Sequence, residues 1–125
     1  MISYPDTFRI CRIPTPHPFP VEAVNVFLYK GDALTLFDAG TFLENAYGVL
    51  QCRLREIGIE IRDIEQIMLT HHHLDHIGLS RRIKDESGAI ICGHSHIADQ
   101  IALMRTPQKT REHLEALLPE LGTPE

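Results

Sequence analysis

The sequence predicts an α/β domain, and two observations carry that expectation. After residue 33, short apolar runs with strand character alternate with stretches whose apolar residues recur at helical spacing. Between them lie turn-forming residues: Lys30-Gly31-Asp32, Gly58 and Ser87-Gly88. With 125 residues, 43% of them hydrophobic and 23% charged, the chain has room for one domain of ordinary soluble composition.

The opening, up to Ile13, places Phe8, Ile10 and Ile13 at rough alternation and predicts an edge strand. Pro14 to Pro20 holds four prolines in seven residues, which predicts an extended surface loop. Glu22–Tyr29 and Ala33–Phe37 read as two strands joined by the Lys30-Gly31-Asp32 turn into a hairpin. Thr41, with Glu44 three positions on, has the form of a capping box opening a helix. Leu43, Ala46, Tyr47, Leu50, Leu54 and Ile57 would share one face of that helix, with Gly58 ending it. Ile64–Leu69 is a short apolar strand, followed directly by the segment His71–His76 on a strand-to-helix loop. Leu79 and Ile83 predict a helix running to Ser87-Gly88, and Ala89–Cys92 a further strand. A helical tail begins at about residue 94: first His94–Met104, then Pro107–Leu118 capped by Thr106.

Composition narrows the function. Twelve basic and 17 acidic residues give a net charge of −5, without the basic stripe of a nucleic-acid binder. No apolar run reaches the roughly 18 residues needed to cross a bilayer. Pro5, Asp6 and Arg9 stand where a signal peptide would carry its apolar stretch, so the expectation is a cytoplasmic protein. Cys11, Cys52 and Cys92 are widely spaced and odd in number, which predicts reduced, mostly buried thiols.

Histidine is the unusual count, at eight, with His71, His72 and His73 consecutive and His76 close behind. Imidazoles and a carboxylate are good ligands for zinc and similar divalent ions. On a loop after a strand, His71 and His73 can turn toward one point, with Asp75 and His76 as a second pair a few ångström away. An accidental surface cluster would also be rich in histidine, and on a helix His72 and His76 would share a face. Asp75 embedded in the run, and the strand immediately before it, favour a metal site over both.

His71-x-His73-x-Asp75-His76 resembles the H-x-H-x-D-H signature of the metallo-β-lactamase superfamily. Phe37-Asp38-Ala39-Gly40 resembles its strand-terminal D-x-G element, and Ser87–Cys92 the strand after the motif helix. The resemblance runs from about Glu22 to Cys92. It implies an αβ/βα sandwich whose loop edge holds one or two metal ions, usually zinc, with iron and manganese as alternatives. It further implies that His71 and His73 bind the first ion, and that Asp75 and His76 bind the second. In hydrolytic relatives a metal-bound hydroxide attacks the substrate, with the Asp75 equivalent orienting and deprotonating the water. Asp38 would brace the loop by hydrogen bonds, although as a residue it reads equally well as a polar strand-end cap. His72 would point away.

The family completes its site with later histidines and an acidic ligand, and no matching pattern follows here. His94 and His96 fall on the first turn of one predicted helix and His113 within another, where exposed or capping roles fit better. Residues 1–125 therefore read as the N-terminal part of a single such domain. The implied activity is hydrolysis of a small-molecule ester, thioester or lactone, the glyoxalase II-like branch being slightly favoured. A diiron redox member of the family is an alternative, as is a non-catalytic metal-binding module that dimerises through its exposed half-fold face. A histidine-rich metal carrier fits less well, because a carrier does not need Asp75 at this spacing.

Overall fold

The computed structural model describes residues 9–17 and 22–104, together with Gln108 and Glu112. The chain divides into two compact units, residues 1–94 and 95–125. Five strands form one sheet in chain order: β1 (Ile10–Thr15), β2 (Val24–Lys30), β3 (Leu34–Phe37), β4 (Gln66–Met68) and β5 (Ile90–Cys92). The first three pair antiparallel, whereas β3–β4 and β4–β5 pair parallel. The change of sense has a simple cause. The three-residue turn 31–33 can return β3 only antiparallel to β2, while the helical crossovers after β3 and β4 bring the chain back parallel.

Alternation decides the two faces. Val26, Leu28, Leu36 and Ile67 are fully buried, and the register joins Leu28, Leu36, Ile67 and Ile91 into a row across four strands. Helix α1 (Glu44–Glu56) contributes Ala46, Tyr47, Leu50 and Leu54 to the core, spaced to share one face. Glu44 in its first turn and Arg53 and Arg55 in its last suit the helix dipole. Gly58, at φ +77°, follows its end, and its N–H donates to the Arg55 carbonyl. Helix α3 (Ser80–Ser87) buries Ile83 and ends on Gly88 at φ +76°. A single turn of 3₁₀ helix, Ile61–Asp63, packs against α3. On the other face the register aligns Phe27, Phe37, Met68 and Cys92, and both phenylalanines remain exposed. Tyr29 and Ile90 share that face through the next row and are exposed as well.

Four expectations need correction. Strand β1 continues through Pro14 to Thr15, because it lies at the sheet edge, where a missing N–H is tolerated. Thr41 does not cap α1: the helix begins at Glu44 with Leu43 as N-cap and no side-chain cap. The Thr41 hydroxyl instead donates to the Pro16 carbonyl, 3.4 Å away. The segment His71–His76 is not wholly loop, since Leu74–Ile77 form a one-turn helix, α2. The three cysteines are free but not buried: Cys52 is exposed on α1, while Cys11 and Cys92 are half-buried on the two edge strands.

In the second unit, α4 spans Ser95–Met104, close to the expected helix. The expected helix Pro107–Leu118, its Thr106 cap and His113 lie outside the described residues. No helix among the described residues is long and apolar enough to cross a membrane.

Candidate metal centre

The histidine cluster follows the carboxyl end of β4, and Asp38 follows the carboxyl end of its parallel neighbour β3. Adjacent parallel strands deliver their outgoing loops side by side, the usual place for a binding site in such sheets. Asp38 adopts φ +64°, in the left-handed region that Asp tolerates better than most side chains. Its N–H donates to the Met68 carbonyl at 2.9 Å, prolonging the β3–β4 ladder by one bond.

The Asp38 side chain, almost fully buried, accepts three hydrogen bonds. Oδ1 receives the Thr70 N–H at 2.8 Å, and Oδ2 receives the Thr70 hydroxyl at 2.7 Å. Nδ1 of His76 lies 2.9 Å from the same Oδ2. A carboxylate can only accept, so His76 carries its proton on Nδ1 and leaves the Nε2 lone pair available. Thr70 has one hydroxyl proton, already given to Asp38, so at 2.8 Å it accepts from Nδ1–H of His71. His71 is thereby held in the same tautomer, again with Nε2 left to bind a ligand.

One donor atom each from Asp38, His71 and His76 falls within 4.8 Å of the others. Geometry alone therefore admits Asp38 as a ligand. Its three accepted hydrogen bonds argue against that role, since they occupy most of the carboxylate's lone-pair sites and both of those on Oδ2, the oxygen beside His76. Asp38 is better placed to orient ligands than to be one, which is the ordinary relation between a carboxylate and a metal-binding histidine. Asp75 stands beside this group, its Oδ2 3.7 Å from His76 Nε2. His73 is exposed and forms the N-cap of α2, with its ring centroid 4.7 Å from that of His71. His72 packs its ring against His73 at 5.0 Å and lies outside the compact donor group. The structure thus brings His71 and His76 together, with Asp75 beside His76 and His73 beside His71.

His71 is held below the ordinary histidine pKa, chiefly by burial and then by the neighbouring His76 and His73; Asp38 and Asp75 oppose the shift. That direction favours the neutral imidazole, the form a metal requires.

Three positions escaped sequence reasoning. Gly78 follows α2, and a Cβ there would collide with the backbone of Thr41 and Phe42. Only glycine lets the α2 turn sit against the segment after Asp38, where the Ala39 N–H also donates to the His76 carbonyl at 2.7 Å. Thr70 is the junction between Asp38 and His71, visible in sequence only as a polar residue after a strand. His17, between Pro16 and Pro18 in the proline-rich stretch, brings Nε2 to 3.5 Å from Asp75 Oδ2. A cavity of about 410 Å³ lies beside the cluster. His17, Asp38, Thr70, Asp75 and His76 line one part of it, and Val24, Phe27 and Phe37 supply an apolar wall.

Comparison with known proteins gives the fold its relatives. A model of the metallo-beta-lactamase superfamily matches residues 19–105. A probable metallo-hydrolase, YqjP of Bacillus subtilis, is 42% identical over 122 residues, covering 94% of this chain and 37% of that protein. The crystal structure of the metallo-beta-lactamase family protein TTHA1429 from Thermus thermophilus superimposes with a TM-score of 0.74 at 32% identity. That match covers 94% of this chain and 39% of the other. BJP-1, a subclass B3 metallo-beta-lactamase of Bradyrhizobium japonicum, gives a TM-score of 0.55 at 26% identity, over 67% of this chain and 29% of that one. The chain therefore spans well under half the length of these relatives.

Proposed function

The chain belongs to the metallo-beta-lactamase superfamily, and on that premise we propose that it carries the first metal-binding loop of a zinc-dependent hydrolase. In this reading His71 and His73 hold one ion, while Asp75 and His76 hold a second. The observation that carries it is the fixing of His71 and His76 in one tautomer by Thr70 and Asp38. A surface cluster arising by accident has no reason to share a buried carboxylate that directs two Nε2 lone pairs outward. Neutral imidazole and carboxylate donors suit zinc, with iron and manganese as the alternatives.

When bound, a divalent ion lowers the pKa of a coordinated water toward neutrality and polarises the bond to be cleaved. The residues do the rest. Thr70 and Asp38 keep His71 and His76 pointed at the ion, and Asp75 accepts a proton from the attacking water at a carboxylate oxygen. Val24, Phe27 and Phe37 give the adjoining cavity a wall suited to the apolar part of an ester, thioester or lactone. We place the remaining ligands in a further segment, because the relatives that this chain matches are more than twice its length. Two protein ligands per ion fall short of the three usual at catalytic zinc. The chain by itself is then a weak catalyst that still binds metal.

Elemental analysis of the purified protein tests the reading. The expected result is one or more zinc or iron ions per chain, lost on His73→Ala substitution. Turnover of a thioester and lactone panel by this chain, zinc-dependent and abolished by Asp75→Ala, would show that the segment is self-sufficient. Exposed Phe27, Phe37, Tyr29 and Ile90 on one sheet face favour a second reading, a non-catalytic module that dimerises through that face. Sedimentation separates the two: a tight dimer that binds metal without turnover supports the module.

A further inference from the structure

Asp75 Oδ2 stands between two imidazoles, His76 Nε2 at 3.7 Å and His17 Nε2 at 3.5 Å. His76 belongs to the same helical turn as Asp75. His17 comes from a distant part of the sequence, after β1, and nothing in the H-x-H-x-D-H pattern calls for it. Its position is nevertheless built. Thr15 is fully buried, and its hydroxyl donates to the Val24 carbonyl at 3.0 Å, fixing the end of β1 on its neighbour. Pro14 and Pro16 restrict the backbone on the way to His17. The Thr41 hydroxyl anchors the Pro16 carbonyl, so the segment that carries Asp38 also holds the segment that carries His17. The His17 side chain is only 14% exposed and, with Asp75, lines the cavity beside the histidine cluster.

A carboxylate that binds a metal through one lone pair has others to satisfy. Ligating carboxylates are commonly held by a hydrogen-bond donor on the side away from the ion. Asp38 already performs that service for His76, whose one ring proton is spent on it, so His76 Nε2 has no proton to give Asp75. We propose that His17 is the positioning residue for Asp75, donating Nε2–H to Oδ2 and keeping the carboxylate turned toward the ion shared with His76. The present 3.5 Å lies a few tenths of an ångström outside the ordinary N–H···O range of about 2.7–3.2 Å. A small rotation of either side chain closes it. The role rests on Asp75 and His76 being ligands, as proposed above.

Cobalt(II) titration, followed by visible absorption and calorimetry, tests the role on the wild-type protein, His17→Phe, His17→Gln and Asp75→Ala. The binding step lost in Asp75→Ala identifies the ion concerned. In His17→Phe, which keeps the ring and removes the donor, that step should weaken roughly 10- to 100-fold. His17→Gln, whose amide N–H replaces the donor, should restore most of the loss. In the Asp75→Ala background, His17→Phe should have no further effect. Unchanged affinity in His17→Phe, or no rescue by Gln, overturns the proposal. So does loss of an imidazole ligand from the cobalt spectrum of His17→Gln, because His17 would then be a ligand itself.

A second readout needs no metal. Side-chain ¹⁵N spectra of the metal-free protein should show His17 protonated on Nε2, with its resonances displaced in Asp75→Ala. A ring protonated on Nδ1 alone, with Nε2 unprotonated, overturns the proposal. If the wild-type protein takes up no cobalt, the metal-site reading fails, and these spectra still decide whether His17 donates to Asp75.

Discussion

Asp38 Oδ2 and His76 Nδ1 lie 2.9 Å apart, although they come from the ends of different strands. The contact unites two sequence elements that look unrelated in one dimension, the Phe37–Gly40 strand end and the histidine cluster. It also holds the His76 ring by a protein hydrogen bond that needs no ion. Preorganisation of this kind removes part of the entropic cost of binding.

Asp38→Asn should therefore damage metal binding more than folding. The amide keeps the shape, but an N–H₂ now faces Thr70 or His76, each of which has a proton to donate. At least one of the three hydrogen bonds must break. An amide nitrogen in the Oδ1 place orphans the Thr70 N–H. In the Oδ2 place it costs His76 and the Thr70 hydroxyl their acceptor, so the support of one or both histidines is weakened. Metal affinity measured by calorimetry should fall about 10- to 100-fold, while far-UV circular dichroism stays unchanged. Equal affinity in the two proteins would show that Asp38 is a strand-end cap and nothing more.

Gly78→Ala should be the most damaging single-methyl change near the site. Gly78 has an ordinary helical φ, so the difficulty is space, not backbone conformation. The new methyl would strike the backbone of Thr41 and Phe42, which cannot rotate away as a side chain could. Overpacking of this kind costs about 1–3 kcal/mol, and relief requires α2 to move off the Asp38 segment. Chemical denaturation should show the loss of stability. Metal affinity should fall with it, because the Ala39–His76 backbone bond spans the same joint. A variant with wild-type affinity would show that the joint does not set ligand geometry.

Much of this was legible in the sequence, because the signals concerned were local. Alternation located the β2–β3 hairpin, helical spacing located α1, and the H-x-H-x-D-H run located the loop whose His71 and His76 meet Asp38. What failed depended on distant partners. Thr41 and Glu44 satisfy the capping-box pattern, but the Pro16 carbonyl draws the Thr41 hydroxyl away, and no local rule foresees that competition. Pro14 was compatible with a strand only because β1 lies at an edge, a fact set by the pairing of five strands. Gly78 resembles any helix-ending glycine until the backbone of residues 41 and 42 is placed against it. His17 lay hidden in a proline-rich stretch whose evident message was extended chain. Sequence distance also hides the role of Asp38: as a residue it reads equally as strand-end cap or brace, and only its hydrogen bonds to Thr70 and His76 separate the two.

Tyr47 should prove to be the main clasp between α1 and α3. Its hydroxyl donates to Glu86 Oε2, and the Arg82 guanidinium carbon lies 3.4 Å from its ring centroid. Arg82 also pairs with Glu44 at 2.6 Å. Burial, followed by the hydrogen bond to Glu86, raises the tyrosine pKa and keeps the hydroxyl a donor. Tyr47→Phe removes that bond and keeps the stacked ring, so about 1 kcal/mol should be lost. Tyr47→Ala also loses the packing and the cation–π contact, at about 3–5 kcal/mol. Thermal unfolding of the two variants ranks the contributions; a Phe variant as unstable as the Ala variant would assign the clasp to the hydroxyl alone.

His71 should make the metal-free protein less stable in acid. Burial and the adjacent His76 and His73 hold its pKa below the usual 6.5, outweighing Asp38 and Asp75. Above 6.5 the ring is neutral in both folded and unfolded chains, and it contributes nothing to the pH dependence. As pH falls through 6.5 the unfolded chain takes up the proton first, so stability declines until His71 protonates in the folded state as well. His71→Gln, which does not titrate, should flatten this part of the stability–pH curve. Zinc binding should show the complementary effect. Protons compete with the ion for Nε2, and a lowered pKa moves that competition to more acid solution. The wild-type protein should then retain zinc somewhat below pH 6.5. Release centred above the ordinary histidine range would contradict the lowered pKa, and would mean that ligands other than His71 govern release.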